Sequence, residues 1–323
     1  MLPSDIWERT DPLARLLIGA LTPVGQLYGA TVEWKARYVT PERVGVPVVC
    51  IGNLTAGGTG KTPLAIAAAR ALAARGRRPF FLSRGYGGSA RGPLQVAPEQ
   101  RAADVGDEPL LLAQAGPAIV ARDRREGARL AIERGAGSIV MDDGHQNFAL
   151  VKELSLVVVD AEQGFGNGRI LPAGPLREPV AQGLRRADAI VLMGDGNPPL
   201  AHYAGPVLRA HLEPEEPHLL AGRRVVAFAG IGRPNKFFRS LARLGAELLF
   251  AEPFADHHRY APAEIGALKA KARAENAQLV TTEKDYVRLS GSERHGIAVL
   301  RVRAVFDDPA AFGRLLDRLP RPG

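Results

Sequence analysis

The sequence predicts an α/β protein with a doubly wound, mainly parallel sheet in residues 1–215 and a second, smaller α/β domain in 216–323. Three observations carry this expectation. Short apolar runs recur from Val46 to Met193, separated by helical or turn-rich segments, as in parallel βα units. One strand-to-helix turn, Gly52 to Thr62, is glycine-rich and ends in Gly-Lys-Thr. Two breaker-rich stretches, Gly194-Asp195-Gly196-Asn197-Pro198-Pro199 and Glu213-Pro214-Glu215-Glu216-Pro217, precede a new strand–helix series.

Composition sets the outer limits. A chain of 323 residues, 46% hydrophobic and 24% charged, is globular and long enough for two domains. The only cysteine, Cys50, lies in an apolar strand, so no disulfide framework or thiolate metal site is expected, and the compartment is a reducing one. A formal charge of +8 and a pI near 9.9 favour acidic partners: nucleic acid, an anionic membrane surface or phosphorylated small molecules.

In chain order, the first element spans about residues 11–33. Leu13, Leu16, Leu17, Ala20, Leu21, Val24, Leu27 and Tyr28 recur at helical spacing, and Arg15 is the only charge between Asp11 and Glu33. Gly19, Pro23, Gly25 and Gln26 interrupt the run, and no signal-peptide pattern precedes it, so a stable span is not expected. Trp34, Lys35, Arg37, Tyr38 and Arg43 close it with the aromatic and basic character of a lipid headgroup region. A membrane-associated helix lying in the interface fits this pattern; a helix covering one edge of the first domain is the alternative.

Val46-Pro47-Val48-Val49-Cys50 then forms a strand that feeds the turn Ile51-Gly52-Asn53-Leu54-Thr55-Ala56-Gly57-Gly58-Thr59-Gly60-Lys61-Thr62-Pro63. With the helical run Leu64 to Ala74 behind it, this is the layout of a phosphate-binding P-loop, and the domain is expected to be P-loop NTPase-like. Gly57, Gly58 and Gly60 let backbone N–H groups curl around an anion, and the helix adds its positive end. Lys61 would reach the β- and γ-phosphates, and the Thr62 hydroxyl would ligate Mg²⁺. Thr55 stands where the general pattern has glycine.

The strand Pro79-Phe80-Phe81-Leu82 ends in Ser83-Arg84-Gly85-Tyr86-Gly87-Gly88, which would bring Arg84 and Tyr86 to the ligand-binding edge of the sheet or leave them in a solvated turn. Gly106-Asp107-Glu108-Pro109 opens a helix with Asp107 as its N-cap. After the strand Ala118–Ala121, the arginines of 122–134 alternate with acids and suggest a solvated helix face. Ser138-Ile139-Val140-Met141 ends in Asp142-Asp143-Gly144-His145-Gln146, a Walker-B layout whose carboxylates would hold the Mg²⁺ of a bound triphosphate. Leu154 to Asp160 is a further strand. The Gly- and Pro-rich loop after it contains Asn167, Arg169 and Leu171-Pro172-Ala173-Gly174-Pro175-Leu176-Arg177-Glu178-Pro179. There Arg177 and Glu178 could position a phosphate or an acceptor hydroxyl, or form a surface ion pair. Asp188 to Met193 completes the series.

The second domain reads as strand Arg224–Phe228, helix Asn235–Leu244, strand Glu247–Ala251, helix Ala263–Ala274 and strand Gln278–Thr281. Residues of about 206–212 and 297–303 could pair as a two-stranded connector. Two clusters carry chemistry: Phe254-Ala255-Asp256-His257-His258-Arg259-Tyr260, and Thr281-Thr282-Glu283-Lys284-Asp285. Adjacent histidines rarely point at one ion, so His257 suits acid–base work or orientation of a carboxylate, and His258 reads as structural.

These motifs, in this order and over nearly the whole chain, resemble the tetraacyldisaccharide 4′-kinase family, the lipid A 4′-kinases. The resemblance rests on Gly52 to Pro63, Ser83 to Gly87, Gly106 to Pro109, Asp142-Asp143-Gly144, Leu171 to Glu178, Gly230-Ile231-Gly232-Arg233-Pro234, Asp256-His257-His258 and Thr282-Glu283-Lys284-Asp285. The family's own loop is similar to the Thr55 version, whereas His145 departs from the aromatic residue expected after Asp-Asp-Gly. The resemblance implies phosphoryl transfer from ATP, with Mg²⁺, to the 4′-hydroxyl of a tetraacylated glucosamine disaccharide 1-phosphate, giving lipid IVA. It also implies a place at the cytoplasmic face of a bacterial inner membrane. Thr55, Ala56, Gly57, Gly58, Thr59, Gly60, Lys61 and Thr62 would bind nucleotide; Thr62, Asp142 and Asp143 would hold metal. Asp107 would act as base, paired with His257 across the two domains so that closure conditions chemistry. Arg84, Tyr86, Glu108, Arg177 and Glu178 would bind or position substrate.

Other P-loop classes fit less well. A GTPase or metallochaperone needs Asn-Lys-x-Asp, and the Asn-Lys here is Asn235-Lys236-Phe237-Phe238. A nucleic-acid-stimulated ATPase is disfavoured by scattered arginines, 6% aromatics and no recognisable binding motif, so no nucleic-acid partner is expected.

Overall fold

A computed structural model describes residues 7, 9, 11–200 and 203–320. The strands are β1 Val48–Gly52, β2 Pro79–Ser83, β3 Leu94–Gln95, β4 Ala118–Val120, β5 Ser138–Asp142, β6 Leu154–Asp160, β7 Ala189–Met193, β8 Val207–Pro214, β9 Arg224–Ala229, β10 Glu247–Pro253, β11 Gln278–Thr282, β12 Ile297–Leu300 and β13 Val302–Phe306. Two compact units alternate along the chain: 1–84, 123–212 and 304–323 form one, and 85–122 with 213–303 form the other. The sequence suggests a single break near residue 215. Breakers mark where a chain turns, not which segments pack together, and residues 85–122 join the later half.

In the first unit the strand order is β13, β8, β7, β6, β1, β5, β2, with β8 and β13 belonging to it for the greater part. From β8 to β2 every neighbouring pair is parallel. β1, β5, β6 and β7 are buried at every position, as strands covered on both faces must be. Helix Lys61–Ala73 turns Leu64, Ala65, Ala68, Ala69 and Leu72 inward, one apolar face at helical spacing. Parallel register sets Asp142 of β5 beside Ile51 of β1, so the Walker-B acid and the phosphate loop leave the sheet together. On its other side from β7, β8 neighbours β13; the expected partner segment is divided, because Ile297–Leu300 pairs with β11 in the other unit.

The N-terminal element is a helix, Pro12–Tyr38, capped by Asp11, whose carboxylate accepts the Ala14 N–H at 3.1 Å. Its buried residues, Ala14, Gly25, Gly29 and Val32, are small and follow helical spacing. A β-carbon on Gly25 would stand 2.6 Å from the Ile170 carbonyl oxygen, so the close approach to the 170–172 loop requires glycine there. The large apolar side chains point the other way: Leu13, Leu16, Val24, Leu27 and Trp34 are all more than half exposed. No helix of the described residues is long and apolar enough to cross a membrane.

The second unit holds a four-stranded parallel sheet of order β10, β9, β11, β12 and the antiparallel pair β3–β4. Alternation along β9 explains its helices. Val225, Ala227 and Ala229 pack with Phe237, Phe238 and Leu241 of helix Pro234–Arg243, while Val226 and Phe228 pack with Ile265, Leu268 and Ala272 of helix Pro262–Ala274. Chain order reverses between β9 and β11, which makes their carboxyl ends the expected binding position in this sheet.

Phe228 is fully buried and meets the rings of Phe254 and Tyr260 edge-on at centroid distances of 6.5 and 5.2 Å. Phe228→Ala should destabilise this unit by about 3–5 kcal/mol, measured by denaturant unfolding.

Candidate active site

In the first unit the phosphate loop lies between β1 and helix Lys61–Ala73. Gly60 precedes the helix with φ 84°, a left-handed turn that aims the first helical N–H groups at the loop interior. Lys61 is buried, its Nζ 3.7 Å from Asp143 Oδ1. The Thr62 hydroxyl donates to Asp142 Oδ2 at 2.9 Å. Loop 171–178 is pinned along the phosphate loop: Thr55 bridges Leu176, Ala56 N–H donates to Pro175 O at 2.7 Å and Arg177 N–H to Leu54 O at 2.8 Å. Thr55 thus stands in extended backbone, and Asn53 ties the turn by donating to Thr55 O at 2.6 Å and Thr59 Oγ1 at 3.1 Å.

That pinning carries Arg177 to Asp143, Nη1 to Oδ1 2.7 Å. Burial pushes the Asp143 carboxyl up, but Lys61 and Arg177 outweigh it and hold it well below the usual carboxylate range. Asp143 also has φ 53°, a costly conformation for a residue with a side chain, of a kind that concentrates at functional sites. Glu178 is buried and bonded to both Arg186, at 2.6 Å, and Gln146, at 2.8 Å, which makes it an internal tie of the loop. His145 is fully buried against Ser155 and the Gly183 carbonyl; burial and the charges of Lys152 and Arg186 bring it down to about 3, so it is a neutral packing group. Arg124 departs from the solvated helix face expected for its segment: it is buried, and burial and Arg84 lower it to about 10. Arg84 itself is exposed at the tip of β2.

Among the described residues no group of three or more His, Cys, Asp or Glu could hold a metal ion unaided. The pair Thr62 Oγ1 and Asp142 Oδ2 nonetheless presents hard oxygen donors in contact at the loop's end, which suits an Mg²⁺ that arrives with phosphate and water ligands.

In the second unit Asp107 is the first residue of helix Asp107–Ala115, one position inside the expected cap, which Gly106 occupies. Its Oδ1 accepts the Glu108 N–H at 3.0 Å, and Oδ2 faces His257 Nδ1 at 3.1 Å. The two residues belong to one compact unit, so the pair expected across domains is internal to one. His257 has φ 59°, a further strained non-glycine residue, and Tyr86 packs edge-on against its ring at 5.3 Å. Glu108 binds Lys284 at 3.2 Å. His258 stacks on Phe254 and bonds Glu264, which caps helix Pro262–Ala274 at Ala261.

One residue escaped sequence reasoning. Arg288 donates from Nε and Nη2 to Asp107 Oδ2 at 2.9 and 2.5 Å, and from Nη1 to Asp285 Oδ1 at 2.8 Å and Gly230 O at 2.6 Å. The only signal was a basic residue one turn after the acid of Thr282-Glu283-Lys284-Asp285. Burial pushes the Asp107 carboxyl up, but the His257 hydrogen bond and the charges of Lys284 and Arg288 hold it well below the ordinary range. Chemically, the first unit can bind a triphosphate with its metal, and the second offers an imidazole oriented by an ionised carboxylate.

A family profile described as tetraacyldisaccharide-1-P 4′-kinase matches residues 17–320. The chain is 50% identical to a tetraacyldisaccharide 4′-kinase of Rhodospirillum rubrum over 99% of this chain and 98% of the other. It is 53% identical to one of Methylorubrum extorquens over 95% of each. It also resembles a crystal structure of the "apo" form of LpxK from Aquifex aeolicus in complex with ATP, with TM-score 0.75, 26% identity and coverage of 94% of this chain and 99% of that one.

Asp143 and Asp107 both have lowered carboxyl values, so each contributes stability above the unfolded carboxylate value, about 3.9, and loses it as pH falls below that point toward the folded value. Acid titration of urea midpoints should therefore show falling stability below about pH 4. Asp143→Asn should be less stable at neutral pH, where Lys61 and Arg177 lose their partner, and should show a shallower acid slope.

Proposed function

The chain belongs to the tetraacyldisaccharide-1-P 4′-kinase family, and on that footing we propose how its residues share the work. It is an ATP-dependent 4′-kinase of a lipid A precursor, transferring a phosphoryl group to an acylated disaccharide 1-phosphate in lipopolysaccharide biosynthesis. The observation that carries the division of roles is the pairing of a Gly-Lys-Thr turn with a strand-tip acid, Thr62 Oγ1 to Asp142 Oδ2 at 2.9 Å.

The amides of Gly57 to Gly60 and the start of helix Lys61–Ala73 surround the phosphates, while Lys61 balances charge on the transferred group. Thr62 and Asp142 would hold Mg²⁺, which would supply neutralisation of phosphate charge. Asp143 holds Lys61 and Arg177 in place. Phosphoryl transfer to an alcohol requires a base as the new P–O bond forms, and the Asp107–His257 pair fills that role. Tyr86, exposed beside His257, and Arg84 and Arg177 suit the polar parts of the two substrates. Glu108 is a tie to Lys284, and Glu178 a tie within its loop.

The substrate is a lipid, and the outward face of helix Pro12–Tyr38 supports docking on the cytoplasmic face of the inner membrane. Leu13, Leu16, Leu27, Trp34 and Tyr38 form an apolar face, with Lys35 and Arg37 at its end for anionic headgroups. Small residues pack this helix inward, so its large apolar side chains are left for lipid.

Transfer of labelled γ-phosphate to the disaccharide 1-phosphate in detergent micelles, against an acceptor-free control, tests the kinase reading. Lys61→Ala, Asp107→Ala and His257→Ala should each lower kcat by about 10²-fold or more. Near-normal turnover in Asp107→Ala with intact ATP binding would remove the base assignment. For the membrane face, Leu16→Glu with Leu27→Glu should abolish co-sedimentation with anionic vesicles while leaving the melting temperature within a few degrees. Unchanged sedimentation would count against an interfacial helix.

A further inference from the structure

We propose that Arg288 is the positioning residue of the base: it clamps Asp107 as an acceptor-only carboxylate, fixes the His257 ring with its proton on Nδ1, and so gives the proton-accepting role to Nε2. This rests on the reading of Asp107 and His257 as the base pair.

Asp107 Oδ2 faces three nitrogens: His257 Nδ1 at 3.1 Å and Arg288 Nε and Nη2 at 2.9 and 2.5 Å. The guanidinium can only donate, so the oxygen it grips must accept. An oxygen that accepts from two guanidinium N–H groups is badly placed to carry a proton toward the imidazole. Nδ1 must then be the donor in the third contact, and the neutral ring has its lone pair on Nε2. Nε2 lies on the far edge of the ring, and the nearby Asp256 Oδ1 is 3.8 Å away, beyond hydrogen-bonding distance.

Arg288 is itself immobilised. Its side chain is 6% exposed, and Nη1 reaches Asp285 Oδ1 at 2.8 Å and the Gly230 carbonyl at 2.6 Å. Asp285, wholly buried, accepts in addition from Gly230 N–H at 3.0 Å, Tyr260 O–H at 2.8 Å and Thr282 O–H at 2.6 Å. The Thr282–Asp285 motif therefore serves as a foundation: it closes the start of helix Glu283–Tyr286, sets Arg288 one turn later, and through it sets Asp107. A ring held at Nδ1 by a fixed carboxylate loses little entropy on reaching the geometry for proton transfer.

The step balances as follows. The acceptor O–H bond breaks and its proton passes to His257 Nε2. The freed oxygen electron pair forms the new P–O bond, the β,γ-bridging P–O bond breaks with its electrons leaving on ADP, and the imidazolium later returns its proton to solvent.

Two measurements test this on the full-length protein. In ring ¹⁵N spectra of histidine-labelled protein, His257, identified by its loss in His257→Ala, should show a protonated Nδ1 and an unprotonated Nε2 at neutral pH. In Arg288→Gln that preference should be lost, while kcat falls about 10–100-fold, the scale of a lost orienting partner, with KM for ATP within twofold of the parent. Arg288→Lys, which keeps a cationic donor, should restore most of kcat. A parent enzyme whose His257 carries its proton on Nε2, or an Arg288→Gln variant with parental kcat and tautomer, overturns the proposal. If His257→Ala and Asp107→Asn both keep parental turnover, the reading of the base pair has failed instead. Should Arg288→Gln not fold, the ring spectrum of the parent and the Lys variant decide the matter.

Discussion

Buried charge must be matched, and that constraint organises this molecule. An ionised carboxylate taken out of water is tolerable only when donors surround it. Asp143 meets Lys61 and Arg177, Glu178 meets Arg186, and Asp107 and Asp285 share the guanidinium of Arg288. These pairs cost desolvation and add little net stability by themselves; their effect is to allow one arrangement of each loop. Loop 171–178 lies where it does because its backbone bonds to the phosphate loop, Arg177 reaches Asp143, and the buried Glu178 reaches Arg186 and Gln146.

Parallel sheets supply the frame for those charges. In the first unit β1 lies between β5 and β6, so the phosphate loop and Asp142 leave adjacent strand ends without further adjustment. In the second, the ends of β9 and β11 hold Gly230, Thr282 and Asp285 at the point where chain order reverses. The same rule of α/β architecture thus operates twice, once around the Gly-Lys-Thr turn and once around the buried Asp285. Backbone strain falls at the same two places: Asp143 and His257 are two of three non-glycine residues with positive φ among the described residues.

The N-terminal helix carries two different faces within one apolar pattern. Its apolar spacing suggested either an interfacial helix or a cover for the first domain. Ala14 is buried and Gly25 and Gly29 approach Ile170, while Leu16, Leu27 and Trp34 face outward. Periodicity alone could not separate these faces, because it records that residues are apolar and not how large they are or what lies opposite.

Sequence by itself determined the local and the repetitive. Buried strands, the glycine turn ahead of Lys61, the acids at the tip of β5 and the family were all legible, since each depends on residue type at short spacing. Tertiary structure alone decided which distant groups share a charge. It moved residues 85–122 into the unit of 213–303, made Asp107 and His257 neighbours within one unit, took Glu178 and Arg124 inside, and showed Arg288 gripping an acid 181 positions away. A buried ion pair leaves no periodicity in the chain; its partners are chosen by how strands and helices pack, and only there does Arg288 meet both Asp107 and Asp285.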